Sequence, residues 1–231
     1  MAGAMENVPD IRSAVIARAL IVKRNNAMAA VATGGALAFA VTRLSGIGSP
    51  GLAPLAFLLG AGFGVLYANA FEYVLHRFFL HWGQGFLVLR HALHHNSTGT
   101  ADEARYVNFA TSPWVVLLLF VSNAVPIFTG IFLLESWLRA GFLSGRFSAG
   151  IPGAGIWGAG IFGGFTIYYV IYEEIHWRIH IGGRLPSWLA FARRNHMLHH
   201  GDFDGHYNVF LPMFDWIFAH IPRRRNLPSA R

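Results

Sequence analysis

Long apolar segments separated by short polar ones make up most of this chain. Residues 52–75, 113–135 and 153–175 are long enough to cross about 30 Å of hydrocarbon as helices. A fourth segment, 25–43, is rich in alanine and only moderately hydrophobic, and a short linker rich in glycine, proline and serine joins it to the next one. The pattern therefore predicts an all-α integral membrane protein with four transmembrane helices.

The amino-acid composition favours a membrane protein over a soluble one. Hydrophobic residues make up 54% of the 231 residues and charged residues 13%, whereas a soluble domain carries about 25% charged residues. The chain has no cysteine, which excludes disulfides, thiolate nucleophiles and metal sites with thiolate ligands. No motif of interleaved aromatic and basic residues favours nucleic acid, so the net charge of +7 indicates loops that face anionic membrane lipids.

The basic residues are distributed unevenly between the two sides of the predicted membrane domain. Of the 18, four precede the first span, three lie in residues 76–111 and eight follow His176, while the opposite side has Arg43, Arg139 and Arg146. By the positive-inside rule, both termini and the 76–111 segment lie in the cytoplasm. Lysine is scarce while alanine, glycine and arginine are frequent, so we expect a bacterial inner membrane, with the endoplasmic reticulum as the alternative.

The chain divides into three predicted parts. Residues 1–24 form an N-terminal amphipathic segment on the membrane surface, with Val15 and Ile16 among the side chains that face lipid. Residues 25–220 form the membrane domain. Residues 221–231 form a basic tail that is attracted to lipid headgroups.

Ten of the 12 histidines fall in two groups of paired motifs. The first group lies in residues 76–95 and the second in residues 176–200, each directly after an apolar span. Two membrane crossings separate the groups, so both emerge on the face that the basic residues mark as cytoplasmic. These candidate metal ligands are His76, His81, His91, His94, His95, His176, His180, His196, His199 and His200.

The spacing of the histidines predicts where the rings point. Helix positions i, i+3 and i+4 share one face, so each H-x2-HH motif directs its three rings the same way. His76 and His81 are five residues apart and diverge by about 140° on a regular helix. We therefore expect this pair to straddle the helix end, with His81 on a bend near Gly83 and Gly85.

So many clustered imidazoles indicate metal ions. Charged rings would repel one another, whereas neutral imidazole is the commonest metal ligand. Ten ligands are too many for one ion, since tetrahedral zinc takes four and octahedral ions take six, so two ions are predicted. Nitrogen ligands suit iron, zinc and copper alike. Zinc has no redox chemistry, and a site beneath apolar helices has access to lipid C–H bonds that need an oxidant, which favours two iron ions, with zinc as a replacement in purified protein.

The ordered motifs HRFFLH, HALHH, HWRIH and HMLHH resemble those of the fatty acid hydroxylase/sterol desaturase superfamily, and EYVLHRFFLH and YEEIHWRIH most resemble its fatty-acid (sphingolipid) 2-hydroxylases. The resemblance covers residues 68–220. It implies four membrane helices capped by a cytosolic helical unit that holds two metals. It also implies hydroxylation of a lipid acyl chain with O2 and with electrons from a ferredoxin or from cytochrome b5 and its reductase.

The resemblance further implies how the ten ligands are divided. One metal would be bound by His76, His81, His91, His95 and His199, and the other by His94, His176, His180, His196 and His200. The chain departs from the family pattern in having no N-terminal cytochrome b5 domain, so an outside electron donor is expected. It also has the sequence GHYN at 205–208, where relatives often have a glycine-rich turn, and its closing MFDWIF only resembles the usual aromatic-aspartate pattern.

Several polar residues near the motifs are candidates to hold the ligands or to face the substrate. Metal-bound imidazoles usually donate their other N–H to a carboxylate or a carbonyl. The candidates are Glu72, Tyr172, Glu173, Asp202, Asp204, His206 and Asp215. For each carboxylate the alternative is an ion pair with a nearby arginine at a helix end.

Other functions are compatible with parts of the pattern. A desaturase, a sterol oxidase or a carotenoid hydroxylase would use the same metals. A metal transporter would place its ligands at mid-membrane, but the three most apolar spans contain no histidine. A haem protein with two histidine ligands needs far fewer of them.

Overall fold

The computed structural model describes residues 11–45, 50–137, 154–201 and 205–218. Within these ranges all regular structure is helical. The α-helices are α1 (Ile11–Ser45), α2 (Ala53–Val74), α3 (Phe86–Ser97), α4 (Glu103–Tyr106), α5 (Pro113–Trp137), α6 (Ala154–His180), α7 (Ala190–Gly201) and α8 (Met213–Ile217). Residues 1–10, Asp202, Asp204 and the basic tail 221–231 lie outside the described residues, as do Arg139 and Arg146.

Four helical segments are long and apolar enough to cross a membrane. They are Ile11–Ser45, Pro50–His81, Pro113–Trp137 and Ala154–His180. The prediction of an all-α membrane protein with four spans is therefore confirmed. Helices α3, α4, α7 and α8 lie together at one end of the four spans, which we call the histidine end.

The N-terminal segment and the first span form one continuous helix, because α1 runs without a break from Ile11 to Ser45. Val15 and Ile16 pack against a cluster that includes Val107 and Trp177 at the histidine end. Contrary to the expectation that they face lipid, these two side chains are half-buried against residues of α4 and of the end of α6. The start of α1 therefore takes part in the fold around the histidines.

Glycines allow α2 and α6 to pack backbone against backbone. Gly60 and Gly64 of α2 lie against the backbone of α6, and Gly160 and Gly164 of α6 lie against the backbone of α2. A Cβ added to Gly64 would lie 2.2 Å from the backbone oxygen of Ile161. Small residues four apart are a common way for membrane helices to approach closely. Since α2 leads into the first histidine group and α6 ends in the second, this contact brings the two groups side by side.

Candidate metal centre

The chain leaves α2 through a π-helix, Leu75–His81, which contains the first histidine pair. In a π-helix the hydrogen bonds join residues five apart, as from the N–H of Trp82 to the carbonyl of Arg77 at 3.3 Å. Residues five apart are thereby brought to the same face, and the rings of His76 and His81 have centroids 5.2 Å apart. The helix ends at His81 and the bend follows at Trp82, one residue later than predicted, while the change of helix type aligns the pair.

The ten histidines form two clusters in which the ring nitrogens converge. In each cluster the facing nitrogen atoms all lie within 4.8 Å of one another. The first cluster consists of His76, His81, His91, His95 and His199, and the second of His94, His176, His180 and His196. Membership follows the division that the family resemblance implies, except that His200 lies at the edge of the second cluster, and the metal ligation itself stays a prediction.

Each H-x2-HH motif divides its rings between the two clusters. In α3, His91 and His95 belong to the first cluster and His94 to the second. In α7, His199 belongs to the first cluster, while His196 belongs to the second and His200 lies at its edge. The three rings of each motif share one face of their helix, as expected, since their centroids are 4.5–5.7 Å apart in α3 and 4.7–5.9 Å apart in α7. The two clusters are adjacent, with the rings of His95 and His200 4.2 Å apart, so one face contributes to both.

In the first cluster His91 is central. Its Nε2 lies 2.9 Å from Nε2 of His81 and of His95, and 3.0 Å from Nε2 of His76. Nε2 of His199 lies 3.1 Å from that of His81.

In the second cluster His196 is the central histidine. Its Nε2 lies 2.8 Å from Nε2 of His180, and 3.1 Å from Nε2 of His176 and of His200. Nε2 of His94 lies 3.2 Å from that of His176.

These separations fit nitrogen atoms that share a metal ion. Two nitrogens about 2.0–2.1 Å from one ion are about 2.9 Å apart at right angles and about 3.3 Å apart at the tetrahedral angle. A neutral imidazole has a single N–H, so rings that all direct Nε2 to one point cannot satisfy one another by hydrogen bonds alone. A cation at that point interacts favourably with every lone pair. The residues of both clusters therefore fit a bound metal ion.

The histidines of α3 and α7 are held neutral. Burial, and after it the proximity of other rings, lowers the pKa of each: His91, His94, His95, His196, His199 and His200. The pKa falls to about 3 for His95 and to about 2 for His200. Neutral imidazole is the form that binds metal, so these rings need not lose a proton first at neutral pH.

Residues 205–209 hold two of the rings from outside. Nδ1 of His76 donates to the carbonyl of Tyr207, and Nδ1 of His199 donates to the carbonyl of Gly205 at 2.7 Å. Between the two carbonyls, His206 has a φ of 57°, in the left-handed region that favours glycine. These bonds fix the proton on Nδ1 and leave the Nε2 lone pairs for a metal.

Two carboxylates, the buried Asp215 and the half-buried Glu72, hold this segment in turn. Asp215 accepts from the N–H groups of Tyr207 and Asn208, both at 2.9 Å, and Glu72 accepts from the N–H of Val209 at 2.7 Å. Burial raises the pKa of Asp215 to about 6. Neither carboxylate contacts an imidazole within the described part of the chain. The sequence analysis expected these carboxylates to accept hydrogen bonds from the imidazoles themselves. They instead hold the backbone segment whose carbonyls accept from the imidazoles.

Glu103 contacts a histidine directly and was missed by the sequence analysis. Its Oε1 lies 2.8 Å from Nδ1 of His180, and the Glu103 side chain is buried. Thr98, also missed, forms a hydrogen bond of 2.9 Å with Nδ1 of His200. Glu103 follows Asp102 in a polar segment, and nothing in the sequence separates the buried acid from the exposed one.

The remaining candidates have different surroundings. The ring of Tyr172 stacks on that of His176, with centroids 5.6 Å apart. Glu173 accepts a hydrogen bond from the hydroxyl of Tyr169 at 3.4 Å. His206 lies between the two carbonyls described above.

Two neighbouring cavities border the clusters, and His76, Leu80, Phe109 and Tyr172 line both. We call them the apolar limb and the polar limb. The apolar limb is lined further by Ala68, Phe71, Glu72, Leu75, Leu119, Phe165, Tyr168 and Tyr169. The polar limb is lined by rings of both clusters and by Arg90, Tyr106 and Asn108. Each limb holds about 50 Å³, space for a few water molecules, so an acyl chain fits only when lining side chains turn aside.

Comparison with known proteins relates this arrangement to one family. The fatty acid hydroxylase family model matches residues 61–220, a range that contains all ten clustered histidines. A structure of full-length Scs7p, in which only the hydroxylase domain is visible, aligns with a TM-score of 0.51 at 18% identity, covering 95% of this chain and 69% of that one. At this identity the likeness concerns the fold. No curated protein matches the chain.

Proposed function

The chain belongs to the fatty acid hydroxylase family, and we propose that it inserts an oxygen atom into a C–H bond of a lipid acyl chain, in the manner of a fatty-acid 2-hydroxylase. In the balanced reaction, O2 takes up two electrons and two protons, and one oxygen atom becomes the lipid hydroxyl while the other leaves as water. The observation that carries the proposal is the pair of imidazole clusters beside an apolar cavity at the end of four spans.

We propose that both clusters bind iron. The first cluster offers five imidazoles, and His200, 3.1 Å from His196, would complete five in the second. A bound iron pair would supply the redox chemistry that activates O2, and zinc, which lacks it, would occupy the same ligands without activity. The ring orientations are set in advance by Glu103, by Thr98 and by the carbonyls of residues 205–209.

The protein's own task is to place one C–H bond beside the clusters and to exclude water. His76 lines both limbs, so a chain that lies in the apolar limb passes next to the first cluster. Tyr172 lines both limbs too and stacks on His176 of the second cluster, so its ring would lie between a lipid in the apolar limb and the metal ligands. Orientation of this kind lowers the barrier without a general base.

Two further parts of the proposal concern the surroundings of the enzyme. The histidine end carries Arg90, Arg105 and Arg178, which supports a cytoplasmic position for it in a bacterial inner membrane. The two electrons would come from a separate donor on that side, a ferredoxin or cytochrome b5 with its reductase. The lipid would enter from the membrane.

The test is expression in a host that lacks such an activity, followed by lipid profiling and metal analysis. We expect lipids with one added oxygen and two metal ions per chain, and neither product nor full metal content in His91→Ala. Arg105→Gln, at an exposed site, is the matched control. Unchanged lipids with one metal ion or none per wild-type chain would refute the proposal. Lipids that have lost two hydrogens would instead identify a desaturase.

A further inference from the structure

Arg90 is the arginine of the polar limb. Among the described residues that line this cavity there is no other arginine or lysine. Its guanidinium carbon lies 5.0 Å from the centroid of the Tyr106 ring, which also lines the limb. The next residue along α3 is His91, the central ring of the first cluster. The positive charge is thus inside the cavity and close to the metal ligands.

The described residues provide Arg90 with neither a hydrogen bond nor an ion pair, although the side chain is half-buried. Neighbouring arginines are paired: Arg178 lies 2.5 Å from Glu174, and Arg105 lies 3.7 Å from Asp102. A guanidinium has five N–H donors, and leaving them without acceptors in a partly desolvated cavity costs free energy. An arginine kept in such a place is suited to an acceptor that comes with the ligand.

The surroundings of Arg90 match the polar head of a lipid. Phe86 and Leu87, one turn earlier on α3, also line the polar limb and are 63% and 37% exposed, so apolar side chains surround the charge at the mouth. The apolar limb adjoins this cavity, since four residues line both. One of the two neighbouring cavities therefore contains a cation and the other is apolar, as for a ligand with an anionic head and a hydrocarbon tail.

We propose that Arg90 binds an oxyanion, a carboxylate or a phosphate, at the head of the acyl lipid whose tail lies in the apolar limb. This proposal rests on the proposed function and deepens it. A guanidinium can bind such a group with two parallel hydrogen bonds. Because Arg90 adjoins His91, the head lies next to the first cluster, and oxygen is added to carbons near the head. Neutral lipids such as sterols and carotenoids lack the group that Arg90 binds.

The experiment measures binding to the purified full-length protein in detergent, with metal content determined for every variant. The probes are palmitate, hexadecyl phosphate, dipalmitoyl phosphatidylglycerol and the neutral 1-hexadecanol. We expect the best anionic probe to bind about tenfold or more tightly than hexadecanol, the range of a hydrogen bond between charged groups. Arg90→Gln should abolish this difference, Arg90→Lys should keep part of it, and Arg105→Gln should keep all of it.

The outcomes separate the possible heads. Preference for palmitate identifies a free fatty acid, and preference for either phosphate probe identifies a phosphorylated head; both support the proposal. Equal binding of hexadecanol to the wild type overturns it. So does an Arg90→Gln variant with unchanged metal content that still prefers the anionic probes.

Turnover distinguishes this proposal from the function on which it rests. With palmitate, Arg90→Gln should raise KM about tenfold or more while kcat changes less, because the lost contact is made by the lipid head. If the wild type hydroxylates only neutral lipids, the Arg90 proposal fails and the hydroxylase function stands. If palmitate binding depends on Arg90 but no lipid gains oxygen, the hydroxylase function fails instead.

Discussion

Glu103 is the carboxylate whose replacement should weaken one cluster most directly. Its Oε1 lies 2.8 Å from Nδ1 of His180, and its Oε2 accepts from the N–H of Gly99 at 3.0 Å. The side chains of Glu103 and His180 are 9% and 0% exposed. The carboxylate thus keeps a proton on Nδ1 and directs Nε2 of His180 towards His196, 2.8 Å away.

Glu103→Gln preserves the size of the side chain and removes its charge. A hydrogen bond to a charged group is about twice as strong as one between neutral groups. Loss of the charged partner of a metal-binding histidine typically lowers metal affinity about 10–100-fold, or by about 1.4–2.7 kcal/mol. Because the one histidine that Glu103 contacts within the described residues, His180, belongs to the second cluster, one of the two metal ions should be affected.

The assay is removal of metal from the purified protein by a competing chelator. We expect two equal steps in the wild type, and in Glu103→Gln one step shifted to about 10–100-fold lower chelator concentration. Asp102→Asn is the matched control, since this neighbouring carboxylate is 58% exposed and pairs only with Arg105, at 3.7 Å. If Glu103→Gln and Asp102→Asn release metal alike, the reasoning about Glu103 is wrong.

Three other changes test other parts of the structure. Gly64→Leu should prevent α2 from packing on α6 and lower thermal stability strongly, whereas Gly62→Leu, where an added Cβ meets nothing within 4 Å, should not; equal melting temperatures would contradict this. The free energy of unfolding of the metal-free protein should fall as pH drops below about 6.5, because the histidines of α3 and α7 become protonated in the unfolded chain but not in the folded one. Each such histidine should lower this free energy by about 1.4 kcal/mol per pH unit. Asp215 opposes this weakly, since its raised pKa makes its contribution decline as pH rises from 3.8 to about 6, and a flat profile would refute the lowered histidine pKa values. His206→Gly should retain both metal ions, because glycine adopts a φ of 57° without strain, whereas His206→Val should lose metal; loss in the glycine variant would show that the imidazole itself is needed.

Local properties of the sequence determined the helices and the candidate metal ligands. An apolar run such as 113–135 must form its hydrogen bonds within itself to cross a membrane, so its length alone predicts the helix found at Pro113–Trp137. The histidine groups follow directly after spans, and two crossings return the chain to the same side. Residue type and position along the chain were therefore enough to name the nine rings of the two clusters and His200 at the edge of the second.

The tertiary structure decided which ring faces which. On a regular helix His76 and His81 diverge, and only the π-helix, packed against residues far along the chain, aligns them. His81 meets His199 across 118 positions, and Glu103 meets His180 across 77. Such contacts depend on how each helix is rotated about its axis and how closely its neighbour approaches, and side chains distant in sequence set both. Helical periodicity acts over a few residues, so it cannot determine them.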